Sequence, residues 1–384
     1  MSNKKSHKKI LQMCSYLPQN PFHRQFFEAM AGQSAHQLVT CPHFVPENNI
    51  PRSPSIDNYF GSQKKWSYVR KLCYSLKIRD YTEHVSNFVN PESIELIHAH
   101  SLFADGLTAH KVSLKHHIPL IITIRDSDIG TFPKYYPHWR KKAREALHDA
   151  KKIIFVNPNF RSYLERALKI KLNDSQCNVI PNGVDNSWLS APFRSDLQKP
   201  LLKILCVGKI SDRKNQKALI KSVVRARDLT GLPYTLDLAG NSIGKYGQDV
   251  LNLCEKHTFV NYLGVLQQDE LMDILITYDI FALPSHTENF GIVYAEALCC
   301  GIPIIYSRGQ GFDGWSDTFC YGLPVCSNDQ ESITNAIVNM DTLDFSPKKL
   351  KEFSNKLYSW NSISQSHKLI YDQIKHINEA NNKS

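Results

Sequence analysis

A chain of 384 residues with an apolar fraction of 42% is too long for a single ordinary core and suits two α/β domains of about two hundred residues each. It contains no uninterrupted apolar run of the eighteen or so residues that a membrane-spanning helix needs, so such a helix is excluded on length. The formal charge of +10 is uneven: residues 1–180 carry 26 Lys+Arg against 14 Asp+Glu, a net of +12, and the remainder carries −2. A basic half of this kind is expected to meet an anionic membrane surface, with no nucleic acid as partner, the alternative being a merely solvated basic face. The ten cysteines are scattered without a C-x-x-C pair, the usage of a reduced, cytoplasmic protein with no structural zinc.

The chain opens on MSNKKSHKKILQMCSY. The apolar stretch behind the basic lead is interrupted by Gln12 and lacks a small-residue cleavage site, so it predicts a buried first strand rather than a signal peptide. Short β-branched segments then alternate with longer segments of helical period, the βαβα pattern of parallel sheets. In the first half strands are expected at Ile10 to Ser15, Gln37 to Thr40, Glu95 to Ala99, Leu120 to Ile124, Lys152 to Val156 and Asn178 to Ile180. The proline-rich stretch Pro46 to Gly61 has no clear period and predicts a mobile surface loop. Behind it Lys64, Lys65, Arg70, Lys71, Lys77 and Arg79 accompany Trp66 and Tyr68, an expected membrane-facing patch. The segment NGVDNSWLSAPFRSDLQKP is rich in turn formers and predicts a linker, with a domain boundary near Ala191. A second sheet is expected from Lys203 to Val207, Thr235 to Ala239, Asn261 to Leu263, Ile280 to Leu283 and Ile302 to Tyr306. An amphipathic helix, LYSWNSISQSHKLIYDQI, closes the chain.

Ligands of open α/β sheets sit beyond the carboxyl ends of the strands, and three loops of the second half carry residues suited to a phosphorylated ligand. In VGKISDRKNQKALI, Gly208 ends a strand and Lys209 and Lys214 flank the turn into a helix, where two ammonium groups can converge on one diphosphate. In ALPSHTENFGIVYAEALCCGIP, Glu288 lies in the turn, Asn289 follows it, and Phe290-Gly291 open a helix whose free amides and dipole suit an anion. Glu296 follows eight residues after Glu288, roughly 12 Å away if the spacing were wholly helical, a separation that suits one carboxylate on a transferred sugar and another on a ribose. In YSRGQGFDGW the pattern G-x-G-x-x-G follows a strand, but WSDTFCYGLP does not read as a helix, so a dinucleotide site is not expected.

In chain order, IPNGVD, VGKISDRKN, LDLAG and TENFGIVYAEALCCGIPII resemble the retaining glycosyltransferases of family 4, which have the GT-B fold of two facing Rossmann-like domains with parallel sheets and a C-terminal crossover helix. The last segment matches the family's E-x7-E signature. The resemblance implies an acceptor-binding domain over 1–190, a nucleotide-sugar donor domain over 191–358, and a final helix over 359–384 returning to the first domain. It implies that Lys209 and Lys214 bind the donor diphosphate, that Glu288 contacts the transferred sugar, that Glu296 holds the ribose, and that Phe290 and Gly291 offer backbone amides to phosphate. Neither metal nor cofactor is expected beyond the nucleotide diphosphate sugar itself.

Two departures from the family pattern concern this chain's chemistry. Lys209 stands where the family usually has arginine, which keeps the charge and loses a bidentate fork. The acceptor-side pattern T-x-H-G-x-D reads Thr123-Ile124-Arg125-Asp126-Ser127-Asp128, so Arg125 replaces a histidine. With Asp126 and His100 it forms the expected acceptor side. Asp126 and Asp128 also fit a manganese-binding D-x-D, but their match to the acceptor loop explains them without a metal. The expected activity is sugar transfer to a glycan or lipid-linked acceptor. A sugar-nucleotide epimerase on the same fold, or a non-catalytic sugar-nucleotide sensor, is the alternative.

Overall fold

The computed structural model describes residues 9–17, 21–33, 36–44, 59–62, 74–316 and 318–381. Lys64, Lys65, Trp66, Tyr68, Arg70 and Lys71, and residues 46–58 of the proline-rich stretch, lie outside these. The chain divides into two compact units, the first formed by the described residues of Met1–Val156, Phe160–Pro181 and Trp360–Ser384, the second by Asn157–Asn159 and Asn182–Ser359.

The first unit is built on β1 (Lys9–Met13), β2 (Gln37–Phe44), β3 (Tyr59–Ser62), β4 (Ile94–Ala99), β5 (Leu120–Ile124), β6 (Lys152–Phe155) and β7 (Cys177–Val179). They form one parallel sheet in the order β3-β2-β1-β4-β5-β6-β7. The sequence LIITI of β5 is buried throughout, as a strand covered on both faces requires. Its side chains alternate: Leu120, Ile122 and Ile124 join a core with the helices Tyr74–Phe88 and Arg140–Asp149. Ile121 joins an opposite core with Phe26 and Phe27. That opposite face is closed by the final helix, Trp360–Asn381, which contributes Trp360, Ile363, Ile370, Tyr371 and Ile374. Each of these, removed from water, stabilises the docked helix by about 2 kcal/mol. The Trp360 indole also donates to Gln25 Oε1 at 2.8 Å.

The second unit carries β8 (Lys203–Val207), β9 (Thr235–Ala239), β10 (Val260–Gly264), β11 (Ile280–Leu283), β12 (Ile304–Ser307) and β13 (Gly322–Val325), all parallel, in the order β10-β9-β8-β11-β12-β13. The stretch that reads as a linker belongs to this unit. Val184 and Trp188 are buried in its core, the Val184 amide bonds Tyr358 O at 2.9 Å, and the chain passes between units at Pro181 rather than near Ala191.

Two strands escape the sequence reading. β3 occupies Tyr59–Ser62, where the end of a surface loop is expected; among the described residues it is a four-residue edge strand paired with β2 alone. β13 contains a glycine and a proline, residues that argue against a strand interior. It is tolerated because it too lies at an edge, and a Cβ on Gly322 would stand 1.8 Å from Ile304 O.

Candidate active site

Strand order in the second sheet reverses between β8 and β11, so the loops after these two strands open side by side at the switch point, where such sheets bind ligands. Contacts between the loops fix their shapes. Asn215, in the left-handed region at φ 61°, donates its side-chain amide to Pro284 O at 3.2 Å and Ser327 O at 2.7 Å, joining the ends of three strands. The His286 amide bonds Arg213 O at 2.8 Å, and Arg213 donates to Thr287 O at 3.1 Å.

This stapling brings Lys214 and Glu288 into an ion pair, both side chains about nine-tenths buried. Ser285 Oγ donates to the same carboxylate oxygen at 3.2 Å. The Glu288 amide is held by Gln310 Oε1 at 3.1 Å, and its carbonyl accepts from the Gly311 amide at 3.1 Å. The glycine-rich third loop is therefore a support for the second. A Cβ on Gly311 would fall 2.5 Å from Asn289 O, and turns, with no helix, follow the glycines, which removes the dinucleotide reading.

Gly291 caps the helix Ile292–Cys299 at φ 75° with no side-chain cap bond. A Cβ there would meet the Tyr294 ring at 2.4 Å and Glu288 Cγ at 3.1 Å, so glycine is what lets the helix N-terminus close against the Glu288 turn. Phe290 anchors this turn from below, buried against Phe312, Trp315 and Tyr358. Asn289 is exposed, and its carbonyl accepts from Asn157 Nδ2 at 2.8 Å. Gly208 ends β8 beside the Lys214 stem, 3.7 Å from Lys214 Cε to where a Cβ would lie. Lys209 is exposed on the same loop.

One turn down the helix, Glu296 is half-buried, and its carboxyl is pushed up to about 7, first by burial and then by the charge of Asp185. Asp185 caps the short helix Asn186–Ser190, accepting from the Ser187 amide at 2.9 Å. The sequence places Glu296 but assigns nothing to Asp185, Ser285, Asn215 or Gln310. Their signals, an N-cap aspartate, polar residues at strand ends and an asparagine at a turn, are too common to single out.

The first sheet reverses between β1 and β4, and the expected acceptor residues gather at these strand ends. His100 does not open to a cleft: it is buried, its Nε2 lies 2.9 Å from Gln12 Oε1, and Phe26 and Phe27 pack on its ring. Arg125 is half-buried, donates Nε to His100 O at 2.9 Å, and carries its guanidinium carbon 5.8 Å from the Tyr16 ring centre and 5.6 Å from that of Phe22. Asp126 is half-buried beside it. Asp128 is fully buried and accepts the amides of Leu102 and Phe103 at 3.0 Å and of Arg125 at 2.9 Å. With both oxygens committed to backbone, its role is to fold the loop around Arg125. Burial pushes its carboxyl up to about 6 against those three bonds.

Residues 191–357 match the family described as glycosyl transferases group 1, and residues 61–188 match the one described as Glycosyltransferase Family 4. An uncharacterized glycosyltransferase of Methanocaldococcus jannaschii is 26% identical over 75% of this chain and 78% of its own. The O-antigen chain mannosyltransferase B of Escherichia coli is 26% identical over 62% of this chain and 60% of its own. Among solved structures, Anabaena HepE in complex with UDP-glucose has the same fold, with a TM-score of 0.64 at 16% identity over 96% of this chain and 100% of that one. With two parallel α/β sheets and matched profiles in each unit, the chain belongs to the family 4 glycosyltransferases of GT-B fold and is a glycosyltransferase.

Proposed function

We propose that the protein moves a hexosyl group from a nucleotide diphosphate sugar, held by the second unit, to a glycan or lipid-linked acceptor recognised by the first. The reaction retains anomeric configuration and serves surface polysaccharide assembly on the cytoplasmic side of the membrane. The observation that carries this reading is the buried Lys214–Glu288 pair at the switch point of the second sheet. The O-antigen transferase supports the pathway and the UDP-glucose complex supports the donor class; retention rests on the family resemblance.

In this reading the donor diphosphate competes with Glu288 for Lys214. Lys214, Lys209 and the amides at Phe290 and Gly291 take the charge that grows on the leaving diphosphate as its bond to the anomeric carbon breaks, and a site built in advance is where such stabilisation is largest. The acceptor oxygen forms the new bond to that carbon, and its proton passes to a phosphate oxygen on the same face. Glu288, released from Lys214, accepts from a sugar hydroxyl, and Glu296 accepts from the ribose. Arg125 and Asp126 stand on the acceptor side, and His100 is buried behind them, its carbonyl holding Arg125. A screen of nucleotide sugars, scoring nucleotide release with and without lipid-linked acceptors, tests the reading; no release from any donor sinks it.

The charge is handled by side chains and amides, so excess chelator is expected to leave the rate unchanged. Loss of activity that manganese restores would return Asp126 to the role of metal ligand. Glu296 supplies a pH test. Its carboxyl lies near 7 in the free protein and binds ribose hydroxyls better when ionised, so nucleotide affinity rises as pH rises through about 7. In Asp185→Asn, one cause of the raised value is gone and the midpoint moves to lower pH. Glu296→Gln flattens the dependence, and an identical profile in that variant removes the ribose assignment.

A further inference from the structure

The helices Leu107–His116 and Arg140–Asp149 of the first unit lie side by side, close enough that the Lys142 ammonium, with burial the larger cause, holds the Lys111 amine below its ordinary value. On the first helix Lys111, Leu114 and Lys115 stand at i, i+3 and i+4, hence on one face, and all three are exposed, Leu114 by 56%. On the second, Lys141 and Lys142 are exposed, Lys142 lying 4.4 Å from the centre of the Trp139 ring. The chain enters this helix through Lys134 and Tyr135, both exposed, with Tyr135 at 65%. From Lys134 to Arg144 the sequence has five cations and no acid. Of the acids further along the helix, Glu145 is exposed, and Asp149 is taken by His110 at 2.7 Å and His148 at 3.0 Å.

Like charges held together on a folded surface lower stability, a cost that an opposing anionic surface removes. The exposed leucine and tyrosine among the lysines select the kind of surface: a polyanion in water would leave them wet, whereas the interface of a bilayer takes both an aliphatic or aromatic side chain and its flanking cations. Of the segment Lys64 to Arg79, the cations among the described residues offer less. Within it, Arg79 sits 3.8 Å from Asp80 and 3.9 Å from Glu83, and Lys77 is half-buried.

We infer that the face made by the helices Leu107–His116 and Arg140–Asp149, with Lys134 and Tyr135 at its margin, docks the protein reversibly on an anionic lipid bilayer. This goes beyond the transfer reaction and does not depend on it. Each lysine near such a surface contributes about 1 kcal/mol, and the attraction fades beyond a Debye length, so docking is salt-sensitive.

The test is flotation of the full chain with phosphatidylcholine vesicles, with and without phosphatidylglycerol, at low and high sodium chloride. Binding is expected only with phosphatidylglycerol and only at low salt. Serine at Lys111, Lys115, Lys141 and Lys142 together is expected to lower the partition coefficient at least ~30-fold. Leu114→Ser with Tyr135→Ser is expected to lower it several-fold while leaving the salt dependence intact. Serine at Lys169 and Lys171 changes nothing. The positions are exposed, and unchanged amide exchange in β5 reports that the first unit of each variant is folded. Absence of flotation on anionic vesicles, or a quadruple variant that floats like the wild type, overturns the inference. So does heparin binding as tight as vesicle binding and indifferent to Leu114 and Tyr135, which would make the face a site for a soluble polyanion. Nucleotide release measured without vesicles keeps this outcome apart from the proposed transfer reaction.

Discussion

Glu288→Gln is expected to lower sugar transfer by roughly 100-fold or more while nucleoside diphosphate binding holds or tightens. In the free protein Lys214 spends its charge on Glu288, so a diphosphate must displace that carboxylate before it can use the lysine. Glutamine removes the competitor. It keeps an oxygen that can accept from the sugar hydroxyl but removes the negative charge that steadies the sugar as positive charge builds at its anomeric carbon, and the loss is therefore felt in turnover.

Lys214→Ala behaves differently, because the ammonium meets the diphosphate in the ground state and more strongly in the transition state, as charge grows on the leaving group. Affinity and rate should both fall by about tenfold to a hundredfold, as expected for losing a hydrogen bond to a charged group worth about 1.5–3 kcal/mol. It should also lower stability by about 3 kcal/mol, since one charge of a buried pair is left alone. Adding Glu288→Gln to Lys214→Ala should recover part of that stability, the signature of a coupled pair. Wild-type turnover in Glu288→Gln would remove the central assignment, and additive stability losses in the double variant would deny the pair.

Acid is expected to unfold the first unit ahead of the second. His98, His100 and His367 are buried together around Phe26, and His23 is buried beside His100. Burial holds the first three well below their ordinary value and His367 at about 4, with Arg125 adding to the shift in each. His98 is fixed between Tyr371 Oη at 2.7 Å and Thr123 Oγ1 at 2.8 Å. Among the described residues neither ring nitrogen of His23 has a partner. All four are neutral in the folded state and take a proton below about 6.5 when unfolded. Stability is thus complete above 6.5 and is lost as pH falls towards the folded values, at about 1.4 kcal/mol per pH unit for each group.

Two carboxyls of the same unit act in the opposite sense. Asp105 and Asp128 are raised by burial to about 6, so they bind protons more tightly folded than unfolded and stabilise increasingly as pH falls from 6 to 3.8. Four histidines outweigh two aspartates, and the histidines begin to titrate at higher pH. In the second unit Glu296, raised to about 7, only favours the folded state in acid. Urea denaturation at pH 7.5 and 5.5, with amide exchange in β5 and β11 reporting each sheet, should show a falling midpoint for the first unit alone. Equal midpoints would contradict this, as would a His98→Gln, His367→Gln variant with the whole pH dependence intact.

The sequence alone determined the two sheets, because β-branched runs such as LIITI, bounded by turn formers, have no other stable use than a strand covered on both faces. It also determined which loops matter in the second half. Gly208 and Lys209 directly after Val207, and Pro284 and Ser285 directly after Leu283, mark strand ends, and the eight-residue spacing of Glu288 and Glu296 carries the family signature. What it could not determine are pairings across strand order. Lys214 and Glu288 lie 74 residues apart and meet because β8 neighbours β11, a fact of topology with no local period. Asp185 stands near Glu296 for the same kind of reason, since the turn formers around it look like a linker until Trp188 is seen in the core. His100 shows the converse. Its place at a strand end suggested a cleft, but alternation along a strand does not say what covers each face, and here the covering comes from Phe26 and Phe27 of a helix over seventy residues earlier in the chain. Local chemistry is written in neighbouring residues, whereas burial and ion pairing depend on which distant segments the sheet brings together, and only the tertiary structure decides that.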